Sequence, residues 1–191
     1  MNSIVISIRP EWAAKILNGE KTVEIRKTIP KCELPAEVYI YVTKSTYGYM
    51  IGHVMFSNDD LTFDPDAKKY KFGDSCYIMC AHNDYTEDNF LNGKVVAKFT
   101  LNKAEDMGRM YSCGHKDFHF YDLLNASCLT IGELENYSYI PIEKRKNDYP
   151  NLYAWHIDDL VIFDKLKKLS DFGLVRAPQS WCYAKEEPEN E

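Results

Sequence analysis

The chain has 191 residues, of which 45% are hydrophobic and 14% aromatic, enough apolar material for one hydrophobic core but too little for two full-sized domains. Its formal net charge of -6 argues against broad electrostatic binding to nucleic acid, which depends on neutralising phosphates. No apolar run approaches the roughly 20 residues that span a bilayer, and the N-terminus lacks the features of a secretion signal. We therefore expect a cytoplasmic protein without a membrane partner.

The C-terminal residues 186–191 read EEPENE and contain four of the acidic side chains. Such a segment is typical of disorder, because it offers no apolar side chains to bury. We predict a single domain over residues 1–185 followed by this acidic tail. The folded body is then closer to neutral, which leaves room for a local basic cleft.

The first part of the chain predicts a strand, a helix and a second strand. Residues 3–8 are rich in β-branched side chains. A short helix follows, because Pro10 suits its first turn and Gly19 its end. Residues 21–27 then alternate with a period of two, as a strand does. The connection is long enough for the two strands to run parallel.

The rest of the chain is mainly β, with one helical part. Apolar alternation predicts six further strands, over residues 36–44, 49–57, 75–81, 94–101, 153–157 and 160–163. Between residues 105 and 150 the pattern changes to helical spacing, with Phe118, Tyr121, Leu124 and Cys128 on one predicted face and a T-x-x-E capping box at Thr130. The predicted class is α+β, with a helical insertion that has its helices at about residues 115–137.

The strand over residues 21–27 carries the most suggestive polar pattern. Val23 and Ile25 are expected to point inward, which sends Glu24 and Arg26 to the outer face. Together these two side chains offer an acceptor and a guanidinium fork. Spacing alone equally permits a surface ion pair, which contributes little to stability.

Several segments of the chain resemble the ASCH domain, a branch of the PUA-like superfamily. They are ISIRPEWAAKILNGEKTVEIRK, VYIYVTK and NGKVVAKFTL, and the last, RAPQSWCYAKE, resembles the closing strand of longer bacterial or phage-associated members. The family motif G-x-K-x-x-E-x-R is matched by Gly19, Lys21, Glu24 and Arg26. The resemblance implies a PUA-like β-barrel with a cleft beside the first helix, and no cofactor.

Relatives in this family use that cleft for RNA, nucleotides or modified nucleosides, so the resemblance implies RNA or a nucleoside-like small molecule as the partner. Lys21 and Arg26 are suited to hold a phosphate or a base carbonyl, and Glu24 to accept from an exocyclic amine. An aromatic ring can stack on the base. The expected lining comprises Lys21, Glu24, Arg26, Gln179 and Ser180, with Trp181, Tyr41 and Trp12 as candidate stacking residues. The amphipathic helix favours core packing for Trp12, whereas the alternation around Tyr41 fits the core and the cleft equally.

Three other functions remain open. One small ASCH family hydrolyses N4-acetylcytidine with a lysine, a threonine and a glutamate; Lys21 matches the lysine, but Glu24 stands in place of the threonine. Some relatives are ribonucleases, which makes Lys21 and Glu24 candidate catalytic residues for paired acid and base chemistry. A protein-interaction module in transcription or RNA processing is the third possibility.

The cysteines and histidines give weaker evidence for a functional site than the motif of Lys21, Glu24 and Arg26 does. Six cysteines in a cytoplasmic chain favour free thiols over disulfides. A metal-like group is formed by Cys113, His115, His119 and Cys128, but it lacks a C-x-x-C pair, so we expect no metal site. Cys76 and Cys80 are expected to lie in the core, Asp74 to follow a turn, and His53 and His156 to have no functional role.

Overall fold

The computed structural model describes residues 3–45, 48–55, 75–80, 90–112, 117–139 and 150–185. Four α-helices occur in these ranges, namely α1 (Pro10–Leu17), α2 (Met107–Ser112), α3 (Phe118–Ala126) and α4 (Ile131–Ser138). The strands are β1 (Ser3–Ile8), β2 (Val23–Arg26), β3 (Ala36–Val42), β4 (Tyr49–Met55), β5 (Ser75–Cys80), β6 (Val95–Leu101), β7 (Ala104–Asp106), β8 (Tyr153–His156), β9 (Asp158–Lys167) and β10 (Trp181–Tyr183). None of the helices found there is long and apolar enough to cross a membrane.

The strands lie in three sheets. The largest has the order β10-β1-β3-β6-β9, the second has the order β2-β8-β7, and β4 pairs with β5. Within the described residues no ladder joins one sheet to another. The α+β class predicted from the sequence is therefore confirmed, whereas a closed barrel stays a prediction.

The predicted parallel pairing of β1 with β2 is wrong. β1 pairs in parallel with β3, from Ser3 opposite Glu37 to Ile8 opposite Val42. β2 instead pairs antiparallel with β8 in the second sheet, from Val23 opposite His156 to Arg26 opposite Tyr153. The physical reason is that α1 carries the chain from one sheet to the other, which the length of the connection alone does not reveal.

The large sheet is buried on both faces near β1. Ile4, Ile6 and Ile8 belong to a hydrophobic cluster with the buried residues of α1. Val5 points to the opposite side, into a second cluster that includes Phe172. Because β1 is covered on both faces, it has the continuous apolar composition of a central strand.

The helices α2, α3 and α4 pack on the second sheet. Val23 and Ile25 of β2 contact a cluster that includes Phe120 and Leu134. The predicted helical part of the chain is therefore confirmed, although the sequence pattern missed α2. The capping box at Thr130 is present as predicted, with Glu133 as its partner.

The residues whose helical spacing predicts α3 do not together form its buried face, although Leu124 is buried. Phe118 is 91% exposed and Tyr121 is 41% exposed. Phe120, Leu123 and Leu124 are the buried residues of this helix. α3 ends at Ala126, so Cys128 lies outside the helix.

Candidate ligand-binding cleft

A cleft of about 920 Å³ lies beside α1, where the family resemblance predicts one. Its walls come from distant parts of the chain. Residues of α1, β2 and α4 line it, and Gln179 and Ser180 close one end. Four cationic side chains (Arg9, Lys15, Lys21 and Arg26) and three acidic ones (Glu11, Glu24 and Glu133) belong to the lining, so the cleft is nearly balanced in charge.

Lys21, Glu24 and Arg26 form an ion-pair network in this cleft. Lys21 Nζ lies 3.2 Å from Glu24 Oε2, and Arg26 Nε lies 3.0 Å from Glu24 Oε1. The three residues are only 3%, 8% and 8% exposed. The structure thus brings the predicted motif residues together but corrects their setting. They are buried in a cleft that residues of α1 and α4 also line, and so do not form an outer surface.

The ammonium group of Lys21 is held by several partners. Its Nζ atom donates to the backbone carbonyl of Ser127, 2.7 Å away, in addition to its ion pair with Glu24. It also lies 5.4 Å from the centroid of the Trp12 ring. A lysine side chain is flexible, so these contacts fix a group that would otherwise sample many rotamers.

The guanidinium group of Arg26 links β2 to the large sheet. Its Nη2 atom donates to the carbonyl of Ser7 at 2.6 Å, and Nη1 donates to Ser180 Oγ at 3.2 Å. Although Nε lies within ion-pair distance of Glu24, it makes no well-aligned hydrogen bond. Arg26 therefore acts mainly to join three segments of the cleft wall.

Glu24 is the shared acceptor of the network. Each of its two carboxylate oxygens faces one cation. An ionised carboxylate has about four lone-pair sites and accepts only, so acceptor capacity remains on both oxygens. The geometry therefore presents an oriented acceptor pair that fits N–H groups of a ligand.

Two aromatic rings line the cleft. Trp12 of α1 is half-buried, and the Nζ atom of Lys15 lies 5.1 Å from its ring centroid. Tyr137 lines the cleft from α4, with Lys27 Nζ 5.1 Å from its ring centroid. Burial raises the pKa of the Tyr137 hydroxyl, Arg26 acts to lower that pKa, and Glu24 raises it again. Tyr137 therefore remains a neutral hydroxyl near neutral pH, able to donate a hydrogen bond.

The structure does not bring Tyr41 or Trp181 to the cleft lining. Tyr41 is 4% exposed and packs with Phe172 on the other face of the large sheet, where burial raises the pKa of its hydroxyl. The Trp181 ring lies 5.7 Å from the Trp155 ring, and its Nε1 donates to Thr28 Oγ1 at 2.9 Å. Both positions follow from the pairing of the strands, which the local alternation of apolar residues does not predict.

The sequence pattern missed the contribution of α4. Glu133, Asn136 and Tyr137 line the cleft and share one helix face by their i, i+3, i+4 spacing. The spacing was visible in the sequence, whereas the surface against which that face lies depends on tertiary packing. Thr43, which follows β3, is a further lining residue without a sequence signal.

Only two members of the group of cysteines and histidines, His119 and Cys128, lie in the described part of the chain. Cys113 and His115 lie outside the described residues, while the Cys128 thiol donates to the carbonyl of Glu20 at 3.3 Å. His119 Nε2 lies 2.9 Å from a carboxylate oxygen of Glu105. Over the described ranges no group of three or more His, Cys, Asp or Glu side chains could hold a metal ion. The side chains of Cys76, Cys80 and His53, together with Asp74, lie outside the described part of the chain.

Glu105 instead organises a separate polar cluster on the second sheet. His156 Nε2 lies 2.7 Å from Oε1, Lys103 Nζ lies 2.9 Å from the same oxygen, and His119 contacts Oε2. Burial acts to raise the pKa of the Glu105 carboxyl, but hydrogen bonds from His119, Lys103 and His156 outweigh it and lower the pKa to about 2. His156 is therefore a hydrogen-bonded residue outside the cleft, as the sequence indicates.

The fold and the cleft define a class of α+β domain proteins with a site beside the first helix. No protein-family model matches the chain. A curated ASCH domain-containing ribonuclease from Zymomonas mobilis is 48% identical over 48 residues, which are 24% of this chain and 32% of the relative. The match thus spans about a third of that relative's length.

Solved structures extend the similarity to almost the whole fold. The crystal structure of ASCH from Zymomonas mobilis aligns with a TM-score of 0.53 and 17% identity, over 96% of this chain and 87% of that one. A tyrosine-to-phenylalanine variant of that protein aligns with a TM-score of 0.50 and 18% identity, over 97% and 91% of the two chains. The local sequence match and the shared fold both involve an ASCH domain protein, in agreement with the resemblance of the sequence motif to that family.

Proposed function

We propose that the cleft binds single-stranded RNA through one nucleobase at a time, with Glu24 as the group that reads the base. The observation that carries the proposal is the buried network in which Lys21 and Arg26 hold the Glu24 carboxylate from two sides. The name of the curated relative, an ASCH domain-containing ribonuclease, supports RNA as the ligand class. A nucleoside-sized small molecule fits the same cleft volume of about 920 Å³.

Each part of the cleft has a suitable chemical role. The Glu24 carboxylate accepts from an amine or imino N–H on a base edge. Trp12 and Tyr137 offer ring faces for stacking, which tolerates any base. Gln179 and Ser180 supply further polar groups at the end of the cleft. The net charge of -6 offers no long-range attraction, so recognition is selective and modest in affinity.

A direct test compares two isosteric substitutions. Glu24→Gln removes the charge in the cleft, while Glu37→Gln makes the same change in an ion pair with Lys98 that lies outside it. Binding of fluorescein-labelled RNA homopolymers is followed by anisotropy, with the four nucleoside monophosphates as competitors. We expect Glu24→Gln to lose about tenfold in affinity, as for a hydrogen bond to a charged group, and Glu37→Gln to bind like wild type.

The proposal fails if the wild-type protein binds neither RNA nor any of the nucleotides. It also fails if Glu24→Gln binds as well as Glu37→Gln, because the ligand would then lie elsewhere. If one monophosphate competes with an inhibition constant equal to the dissociation constant of the RNA polymer, the ligand is the size of a nucleotide.

Ribonuclease activity is a second candidate, because the relative from Zymomonas mobilis is named a ribonuclease. Cleavage without a metal needs an acid and a base placed around the scissile phosphate. Glu24 is the candidate base, and Lys21, 3.2 Å away, is the neighbouring cation. A fluorophore-quencher RNA incubated with EDTA tests this chemistry: cleavage that disappears in Glu24→Gln but persists in Glu37→Gln supports it, and an intact substrate with wild-type protein removes it.

A further inference from the structure

The segment that follows α3 is fastened to the chain that precedes β2. Three hydrogen bonds connect residues 126–128 to residues 20–22: from Thr22 N–H to the Ala126 carbonyl (2.9 Å), from Lys21 Nζ to the Ser127 carbonyl (2.7 Å) and from the Cys128 thiol to the Glu20 carbonyl (3.3 Å). More than a hundred residues separate the two segments along the sequence. Their contact therefore exists only in the folded protein, and it is centred on Lys21.

The shape of residues 126–128 is itself fixed by side-chain contacts. Ser127 is fully buried, and its hydroxyl donates to the carbonyl of Leu124 at 2.7 Å while accepting from Leu129 N–H at 3.3 Å. Cys128 has a φ of 56°, a left-handed conformation that non-glycine residues adopt at a cost of about 1 kcal/mol. A strained residue with a side chain that contacts a second segment indicates a local constraint.

The consequence for Lys21 follows from the chemistry of its side chain. An ammonium group donates in three directions and cannot accept, so its position is set by the acceptors around it. Glu24 is one acceptor, but it is a side-chain group whose position depends in turn on its ion pairs with Lys21 and Arg26. The Ser127 carbonyl is the acceptor that belongs to a fixed backbone segment, since the hydroxyl of the same residue locks the turn.

We propose that residues 126–128 are a positioning turn that fixes Lys21 Nζ beside Glu24, with Ser127 and Cys128 as positioning residues. The effect on ligand affinity rests on the proposed RNA-binding function, whereas the effect on Lys21 does not. When the turn loosens, Lys21 gains rotamers, and the Glu24 carboxylate loses one of the two cations that orient it. The helical insertion thus controls the cleft of the β part of the domain.

The test measures Lys21 directly, without reference to any ligand. Each lysine is acetylated by dilute acetic anhydride, and the rates are obtained by mass spectrometry, with Lys98 as the internal reference. Ser127→Ala removes the hydroxyl that locks the turn. Cys128→Gly removes the thiol contact while relieving the positive φ, so this variant keeps its stability. We expect Lys21 acetylation relative to Lys98 to rise about fivefold in each variant.

Ser138→Ala is the matched control. Ser138 Oγ donates to the carbonyl three residues before it, Glu135, as Ser127 Oγ does to Leu124, but Ser138 has no link to Lys21. Its removal is expected to leave the ratio of Lys21 to Lys98 acetylation unchanged. RNA affinity, measured by the anisotropy assay, is expected to fall about fivefold in Ser127→Ala and to stay unchanged in Ser138→Ala.

Unchanged Lys21 acetylation in both Ser127→Ala and Cys128→Gly overturns the proposal. An equal rise at Lys21 and Lys98 also overturns it, because it reports a general loss of stability. If the wild-type protein binds no RNA but Lys21 acetylation rises in the variants, the positioning turn is upheld and the RNA-binding function fails.

Discussion

Lys21 Nζ and Glu24 Oε2 lie 3.2 Å apart in an ion pair whose side chains are only 2% and 10% exposed. Removing one member of such a pair leaves a buried charge with fewer partners, which costs about 3 kcal/mol. We therefore expect Lys21→Met, which keeps the side-chain volume, to lower the free energy of unfolding by about this amount. Urea denaturation followed by tryptophan fluorescence measures the change.

A second lysine provides the comparison for this prediction. Lys98 pairs with Glu37 on the large sheet, where both side chains are more than a quarter exposed. Partly solvated pairs contribute less than about 1 kcal/mol, so Lys98→Met is expected to be nearly neutral. Equal losses for the two variants would show that burial does not determine the contribution of Lys21.

The pKa of Glu105, lowered to about 2, predicts how stability changes with pH. A carboxyl group whose pKa is depressed on folding stabilises the protein above its unfolded pKa and loses this contribution as pH falls through the folded pKa. The contribution of Glu105 is thus complete above about pH 4.5 and disappears toward about pH 2. Because Lys103 and His119 are about half-exposed to water, we expect the contribution of Glu105 to the free energy of unfolding to be only about 1–2 kcal/mol.

The measurement compares Glu105→Gln with wild type by urea denaturation between pH 7 and the acid transition. The stability difference is expected to be largest near neutral pH and to shrink as the pH falls below about 4.5. A difference that stays constant over this range would mean that the charge of Glu105 is not what stabilises the cluster.

Local features of the fold were predictable where one short segment determines them. Pro10 and Gly19 mark the limits of α1, and the Thr130 capping box forms as the sequence indicates. The motif residues Lys21, Glu24 and Arg26 were also found from the sequence. Their burial was not, because the cleft around them is completed by α1 and by α4, which lies more than a hundred residues later in the chain.

The candidate stacking residues also show that the local sequence does not reveal tertiary packing. Trp181 lies in β10, which pairs with β1, so its side-chain direction depends on a register between the two ends of the chain. Trp12 appears in the sequence as one more apolar residue of an amphipathic helix. Only the packing of α1 beside β2 shows that its ring borders the cleft.

Two helical glycines are expected to respond in opposite directions to alanine. A Cβ atom on Gly108 of α2 would lie 1.8 Å from the carbonyl oxygen of Pro150, a backbone atom that cannot move aside alone. We expect Gly108→Ala to cost about 2 kcal/mol or more. A Cβ atom on Gly132 of α4 meets nothing within 4 Å, so Gly132→Ala is expected to stabilise the helix by about 0.5–1 kcal/mol.

Thermal unfolding of the two alanine variants checks this contrast, since both substitutions add a single methyl group within a helix. A lower melting temperature for Gly108→Ala and a higher one for Gly132→Ala are expected. If both variants are stabilised, the close approach of α2 to Pro150 is not maintained in solution.

Trp12, rather than Trp181, is expected to stack on a bound base. Loss of a base–aromatic stack costs about 1–3 kcal/mol, so Trp12→Ala should lower RNA affinity about 10- to 100-fold, while Trp12→Tyr, which keeps a ring, should lower it much less.

The control is Trp181→Phe, which keeps a ring against Trp155 but loses the hydrogen bond to Thr28. It should reduce stability by about 1 kcal/mol and leave RNA affinity within about twofold of wild type. Anisotropy titrations measure the RNA affinity of the three variants. A larger loss of affinity in Trp181→Phe than in Trp12→Ala would show that the base does not bind beside α1.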